Sequence, residues 1–389
     1  FFIFNGKFYE YLSINELKYK IREATSWEAK ASHTSEVIEA LRIKSARDIP
    51  PPNPIDLLCL NNGILSLASG ELQGHSEQLF LTNIVDINYD EDAKCPLWEQ
   101  TLREILPDED SRLLLQKFAG YSLTTDVSHQ KCLFMQGDGS NGKSTVIEVV
   151  QALLGESNFS SLRVDDFSDK FAVVELKGKL ANFSPENRTN KIKNEAVLKG
   201  LIDGSHISVD VKFKNRVAFK PYAKLWIASN PMLISNDTSN GFIRRFLFLK
   251  FPVRFDYSSQ GIDLNRASRI IKTEMSGVLN WALEGLRFLN ENGFVPFPQC
   301  HKDMLSETYS AINPVVGFID GQLMEQHGSS VKLTDVYQEY KRYSHEYGYP
   351  LISCSQLKSE LTTHAPYITW SKPKNAYRCN GVTLCADSN

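Results

Sequence analysis

Residues 131–148 read KCLFMQGDGSNGKSTVIE. A short apolar strand (Cys132 to Met135) runs into Gly137-Asp138-Gly139-Ser140-Asn141-Gly142-Lys143-Ser144-Thr145, and Val146 to Leu154 follow with helical spacing. This is G-x-x-x-x-G-K-[ST] in its strand, loop and helix setting. The glycines let the loop curl until its N–H groups converge on phosphate oxygens. The helix that begins near Lys143 adds its positive dipole end. The pattern assigns phosphate binding to residues 137–145, with Lys143 on the β- and γ-phosphates and the Ser144 hydroxyl on Mg²⁺.

Outward from this loop, the apolar runs Lys131–Met135, Lys179–Phe183, Leu225–Ala228 and Phe246–Phe251 are short and bounded by polar turns. Alternating with helical stretches, they predict an α/β sheet over 130–256. The run Leu180-Ala181-Asn182-Phe183 ends at Ser184-Pro185-Glu186. Taken to lie beside the phosphate-loop strand, it brings the Glu186 carboxylate to polarise water or hold Mg²⁺; the alternative is an exposed turn acid. Ala223 to Pro231 reads as a strand ending in Asn230, whose amide suits a γ-phosphate and an attacking water, or else marks an ordinary Asn-Pro turn.

In Asn240-Gly241-Phe242-Ile243-Arg244-Arg245-Phe246, two arginines precede a buried strand. One is expected to pair locally and the other to project. In a ring of subunits the projecting one would reach a neighbour's γ-phosphate. The alternative is a pair of solvated surface arginines. Ile207–Val211 and Val217–Phe219 read as hairpin arms around Lys212-Phe213-Lys214-Asn215-Arg216. A cationic, aromatic tip suits a single-stranded nucleic-acid backbone, against the plainer reading of a solvated hairpin end.

The bulk numbers permit this picture without dictating it. At 389 residues the chain has room for two or three domains. The net charge of −3 argues against a general nucleic-acid coat. Between Asn187 and Lys224, however, nine basic residues face only Glu195, Asp203 and Asp210, an excess of six and a candidate phosphate-backbone stripe. The seven cysteines lack C-x-x-C or metal-ligand spacing and read as reduced thiols of a cytoplasmic protein. No apolar run approaches a membrane span. The chain opens Phe1-Phe2-Ile3 without Met and reads as an excised piece of a longer protein.

Five segments are expected: an N-terminal fragment with a Pro-rich linker (1–54), short strands then helices (55–129), the phosphate-loop core (130–256), a helical extension (257–299) and a C-terminal unit (300–389). Residues 96–123 read as a helical lid beside the core. In the last unit, helices over Val315–Met324, Leu333–Tyr347 and Ser355–Thr363 precede a hairpin around Lys372-Pro373-Lys374-Asn375. This is a winged-helix pattern, or else a small α+β packing domain.

The order of parts resembles a superfamily 3 helicase of the poxvirus-type and phage/plasmid primase–helicase branch. The run GDGSNGKS, then the acid, the basic hairpin, the strand ending in Asn-Pro and Gly-Phe-Ile-Arg-Arg carry the likeness. Asn61-Asn62-Gly63-Ile64-Leu65 and Cys95-Pro96-Leu97-Trp98 resemble the domain that precedes the helicase in that branch. The resemblance implies an AAA+-type P-loop NTPase with a helical N-terminal region and a winged-helix-like C-terminal domain. It implies a hexameric ring that hydrolyses ATP with Mg²⁺ and moves 3′-to-5′ on single-stranded or forked DNA, joined to an upstream primase or polymerase. By the same resemblance Lys143 and Ser144 hold phosphate and metal, Glu186 is the Walker B acid and Asn230 the sensor. Arg244 or Arg245 is the finger, and Lys212, Phe213, Lys214 and Arg216 contact DNA. Where that family often has two adjacent acids, Pro185 precedes a single Glu186. An ATP-dependent assembly or origin-binding switch without processive unwinding is the competing reading.

Overall fold

The structure, a computed structural model, describes residues 1–385 apart from 29, 46–50, 170, 186–191, 212–213, 231–239, 256–262, 264, 313, 347–348, 350 and 374–375, with backbone only at 210, 211, 214, 215, 240 and 309–312. The chain divides into two compact units. One comprises Phe1–Thr189, Ala196–Pro231 and Arg245–Pro298; the other comprises Asn190–Glu195, Met232–Arg244 and Gln299–Asn389.

The first unit opens with an antiparallel pair, β1 (Phe2–Phe4) and β2 (Tyr9–Tyr11), then α1 (Ile14–Ala24) and α2 (Ala31–Ser45). Helix α1 starts at a reciprocal cap: Ser13 Oγ accepts from Glu16 N, and the Glu16 carboxylate accepts from Ser13 N. Strands β3 (Leu57–Leu60), β4 (Gly63–Ser66) and β5 (Leu72–Gln73) form an antiparallel meander.

The helical pattern after Cys95 resolves into α3 (Pro96–Ile105) and α4 (Glu109–Ser122). Pro107 has no N–H to continue the first helix, and Asp108 caps the second by accepting from Ser111 N at 2.8 Å. These helices are not a lid. Trp98, Leu102, Leu114, Leu115 and Phe118 share one core with the central sheet, and Trp226 Nε1 on that sheet donates to Ser122 Oγ at 3.1 Å.

That sheet is built from β6 (Cys132–Gln136), β7 (Phe159–Ser160), β8 (Ala181–Ser184), β11 (Lys224–Ser229) and β12 (Phe246–Lys250). Between them run α5 (Lys143–Leu154), α6 (Glu195–Asp203) and the hairpin β9 (Ile207–Val211) and β10 (Lys214–Phe219). All five strands are parallel, in the order β12-β6-β11-β8-β7. This corrects the expected neighbourhood. Strand β11 lies between the phosphate-loop strand and β8, with Trp226 registered on Leu133 at one side and Phe183 at the other. Adjacency in a parallel sheet is set by the crossovers, which the linear order of strands leaves undetermined.

The fifth strand, β7, is two residues long and has no periodicity to read. It is held by the fully buried Asn182, whose Oδ1 accepts from Ser160 Oγ (2.9 Å) and Leu162 N (2.8 Å) and whose Nδ2 donates to Leu162 O (2.9 Å).

A short helix of the second unit, α7 (Asn240–Ile243), precedes β12; α8 (Arg266–Thr273) and α9 (Met275–Asn292) complete the first unit. Between the latter two, the Glu274 carboxylate accepts from Leu97 N and Trp98 N at 3.0 and 2.9 Å, so it satisfies two orphan donors of α3.

The second unit continues with α10 (Gln299–Ile312), α11 (Pro314–Gln322), β13 (Leu323–Lys332), α12 (Leu333–Glu346), α13 (Cys354–His364), β14 (Thr369–Ser371) and β15 (Arg378–Leu384). Its core joins Phe318, Val336, Tyr340, Leu357, Leu361, Cys379 and Val382. The sequence carried α11 through Met324 and left a two-stranded hairpin. Instead the chain turns to strand at Leu323, and β13 makes a third, antiparallel strand in the order β13-β15-β14. Met324 to Lys332 has no helical apolar repeat, and Gly328 at φ +83 sits in the register shift between Glu325 and Ser330.

No helix among the described residues is long and apolar enough to cross a membrane, and the seven cysteines are free thiols.

Candidate nucleotide site and its neighbourhood

The C-terminal ends of β6, β11 and β8 converge on one cavity of about 650 Å³. The register aligns them: Ser229 lies opposite Gln136, and Ile227 opposite Ser184. Gln136 Nε2 donates to Asn230 O at 3.3 Å and ties the strand ends together. Of the predicted phosphate-binding residues, Gly139, Ser140, Asn141, Gly142, Lys143, Ser144 and Thr145 line this cavity, as does Asn230. Gly137 is buried behind the loop and Asp138 is exposed; neither lines it.

The loop's shape follows from its residues. Gly142 caps α5 at φ +86, where a Cβ would also sit 2.5 Å from Ile105 Cδ1. A Cβ on Gly137 would lie 2.0 Å from Asn141 Nδ2, so only glycine lets that buried amide pack beneath the loop. Phe255 N donates to Ser140 O at 2.7 Å and pins the loop crest. Lys143 is buried, and its ammonium donates to Gly137 O across the loop. The first turn of α5 therefore opens onto the cavity with its N–H groups and a cation, a cradle for phosphate oxygens.

Sequence reasoning missed five polar side chains on this cavity: Glu148 and Gln151 of α5, Ser161, Ser184 of β8 and Ser229 of β11. The α5 pair was legible in principle, since positions 144, 148 and 151 repeat on one helix face. Ser184 Oγ accepts from Val164 N at 3.1 Å, so the strand end is held as well as exposed to the cavity. Glu186 lies outside the described residues; Pro185, just before it, lines the cavity. No group of three His, Cys, Asp or Glu gathers into a metal cage among the described residues. The donor set fits a hard cation that keeps several waters and binds with phosphates, with the Ser144 hydroxyl as the chain's own ligand.

The two arginines separate. Arg245 is buried and grips Asp203 with two parallel contacts, Nε to Oδ1 at 2.8 Å and Nη2 to Oδ2 at 2.5 Å. Arg244 is exposed.

In the hairpin, Val209 and Phe219 are buried while Arg216 and Ala218 are exposed. Lys212 and Phe213 lie outside the described residues, as does the side chain of Lys214. The nine-residue basic stripe does not survive as counted. Lys224 is buried at the start of β11, away from the cavity, with Nζ donating to Thr124 O (2.9 Å) and Tyr222 O (2.8 Å) and lying 4.4 Å from the Tyr121 ring centroid. Burial pushes its pKa down to about 7 against the opposing pull of Asp126. It is a structural lysine with no role in backbone binding.

Comparison with known proteins adds kinship to this geometry. Residues 11–107 match the family described as D5 N terminal like, and residues 135–245 match a family of unknown function, DUF5906. The chain is 24% identical over 213 residues to "Putative primase C962R" of African swine fever virus, in both its Tick/Malawi and its Warthog/Namibia isolates. The match takes in 51% of this chain and 22% of the viral protein, so the chain spans about a fifth of the length of these relatives.

Two apo structures of the NrS-1 C-terminal region share the fold at a TM-score of 0.50. One is 13% identical and covers 91% of this chain and 90% of that one; the other is 12% identical and covers 90% of each. The glycine-rich loop, the Asn230 strand end and the arginine pair all fall within the second matched segment. These likenesses relate residues 11–107 to the D5 N terminal like family and about half of the chain to a putative viral primase.

Proposed function

We propose that this chain is the motor part of a primase–helicase: an ATP-hydrolysing, ring-forming AAA+ protein that moves on single-stranded DNA and opens forked duplex. The observation that carries the reading is the cavity at the ends of β6, β11 and β8, with a phosphate-loop cradle on one wall and Asn230 on the other. Lys143 would meet the β- and γ-phosphates. Mg²⁺, held with the phosphates by the Ser144 hydroxyl and by the Glu186 carboxylate, would neutralise the charge that develops on cleavage. Asn230, at the end of the strand between the P-loop strand and β8, would orient the attacking water.

Arg244, being exposed and next to a buried neighbour that fixes the chain, is the better finger for an adjoining subunit's γ-phosphate. The hairpin β9–β10, with Arg216 exposed and Lys212, Phe213 and Lys214 shortly before it in sequence, supplies the contact to DNA. The helix, strand, helix, helix, strand, strand order of the second unit supports a winged-helix assignment for it.

The test is ATPase activity with and without single-stranded DNA, strand displacement on a forked duplex, and particle images in both conditions. Turnover stimulated by DNA, displacement and ring-shaped particles are expected. A verified ring that hydrolyses ATP but displaces nothing would favour the assembly switch. A monomer with no turnover would remove the motor altogether.

A further inference from the structure

The charge balance of the second unit conceals a division. Residues 300–351 hold four basic and seven acidic residues, whereas 352–385 hold Lys358, Lys372, Lys374 and Arg378 against Glu360 alone. The fold gathers cations of this last stretch around two rings. Lys358 Nζ, on α13, lies 3.3 Å from the Tyr377 ring centroid and 5.2 Å from that of Trp370. Lys372 Nζ, just past β14, lies 4.9 Å from the same Tyr377 ring. Tyr377 is itself 38% exposed.

Next in sequence, Arg378 faces Lys332 directly across the β13–β15 pairing. Its guanidinium is oriented by Ser330, accepting through Oγ and O at 2.8 Å each. Among the described residues of this unit, Arg342 pairs with Glu339, and Glu360, the one acid of the stretch, lies 3.3 Å from His364 Nε2.

Two like-charge juxtapositions result: two ammoniums on one ring and, on the other face of the sheet from Trp370, a lysine opposite an arginine. Each is unfavourable in isolation. Aromatic faces hold ammoniums in place without neutralising them. What such an arrangement lacks is an extended anion that can touch several cations in succession. We propose that Lys358 and Lys372, held around Tyr377 and Trp370, bind a nucleic-acid phosphate backbone. It would be a second contact, separate from the β9–β10 hairpin. The site does not rest on the motor reading, because it requires neither nucleotide nor turnover.

The test uses the full chain without nucleotide, with labelled single-stranded and duplex oligonucleotides over a salt series. It is run in the natural sequence and in a background carrying Lys212→Ala, Lys214→Ala and Arg216→Ala. In that background, Lys358→Ala with Lys372→Ala should lower affinity by roughly tenfold. The salt slope for the single strand should become shallower by about 1.4, two contacts at about 0.7 each. Lys358→Arg with Lys372→Arg should retain binding. Tyr377→Phe should bind normally, whereas Tyr377→Leu should not, because only the ring holds the ammoniums. Lys341→Ala, which removes a lysine held 5.0 Å from the Tyr337 ring on α12, should change nothing.

Loss on the single strand, the duplex or both upholds the site and names the form it takes. Unchanged affinity and slope for both, or an equal loss from Lys341→Ala, overturns it. Circular dichroism and melting of each variant separate loss of the site from loss of the fold.

Discussion

Arg245 and Asp203 are joined by two parallel hydrogen bonds at 2.8 and 2.5 Å, and this pair ties the root of the hairpin to the β12 edge of the sheet. Asp203 closes α6, a few residues before β9 begins. Arg245 immediately precedes β12, and its carbonyl accepts from Cys132 N at 2.8 Å, where β6 starts. The loop strand β6, the edge strand and the hairpin root thus meet at one residue, β6 through the Arg245 carbonyl and the hairpin root through its guanidinium.

The pair predicts different fates for the two arginines. Arg245→Ala leaves the Asp203 carboxylate in a largely buried place and should destabilise the first unit by on the order of 3 kcal/mol. Arg245→Lys should recover only part of this, since an ammonium cannot make the bidentate contact. Arg244→Ala, at an exposed position, should change stability by no more than about 0.5 kcal/mol while ATP turnover falls. Urea unfolding read beside ATPase separates them. Mixing Arg244→Ala with Lys143→Ala subunits should restore turnover if the arginine acts on a neighbour; no recovery would remove that role.

Gly142 offers a stability test of the loop that is independent of nucleotide. Gly142→Ala adds a Cβ at φ +86 and drives it to 2.5 Å from Ile105 Cδ1. The two effects are separable. Removing the neighbour's γ and δ carbons with Ile105→Ala should relieve the clash, so that Gly142→Ala in that background costs only the backbone term, which is about 1 kcal/mol for a left-handed non-glycine residue. Thermal melts of the single and double variants check this. An equal cost of Gly142→Ala in both backgrounds would mean that helix α3 does not press on the loop.

Lys224 makes stability depend on alkaline pH. Burial lowers its folded pKa to about 7 from an ordinary value of 10.5. Between these values the unfolded chain binds the extra proton, so stability should rise as pH goes from 7 towards 10, by about 1 kcal/mol per unit. Below about 7 both states are protonated and this contribution is flat. Lys224→Met removes the titrating group and should flatten the profile over that window. Urea midpoints measured in parallel at pH 7 and 9 decide it, and an unaltered slope would show that this ammonium is not the source.

What the sequence reveals here follows a physical divide. The phosphate loop is legible because its geometry is local: glycines, a lysine and a helix start within nine residues fix it. The hairpin arms and most helices are legible through alternation and apolar spacing. The position of β11 between β6 and β8 is not, because two long crossovers decide it. Strand β7 is too short to show a period and exists because Asn182 holds it. Strand β13 is largely exposed and carries no alternating face strong enough to announce it. Counting charges between 187 and 224 assumed solvent at every lysine, and Lys224 is inside the protein.

The hairpin gives the last prediction, and it concerns separability. Arg216 is exposed one residue before Val217, which pairs with Val209 on the buried side of the ribbon. Removing its side chain should leave the ribbon's packed face intact, so Arg216→Ala should fold normally. It should lose one phosphate contact, weakening single-strand binding and making the salt slope shallower by about 0.7. Lys143 lies on the nucleotide cavity, and Lys143→Ala should abolish turnover while binding DNA with an unaltered slope. The two variants therefore fail in opposite assays if hydrolysis and strand contact belong to different parts of one machine. A fluorescence-anisotropy salt series on both proteins checks this, and a slope that Arg216→Ala does not move would remove the hairpin from the DNA-contacting surface.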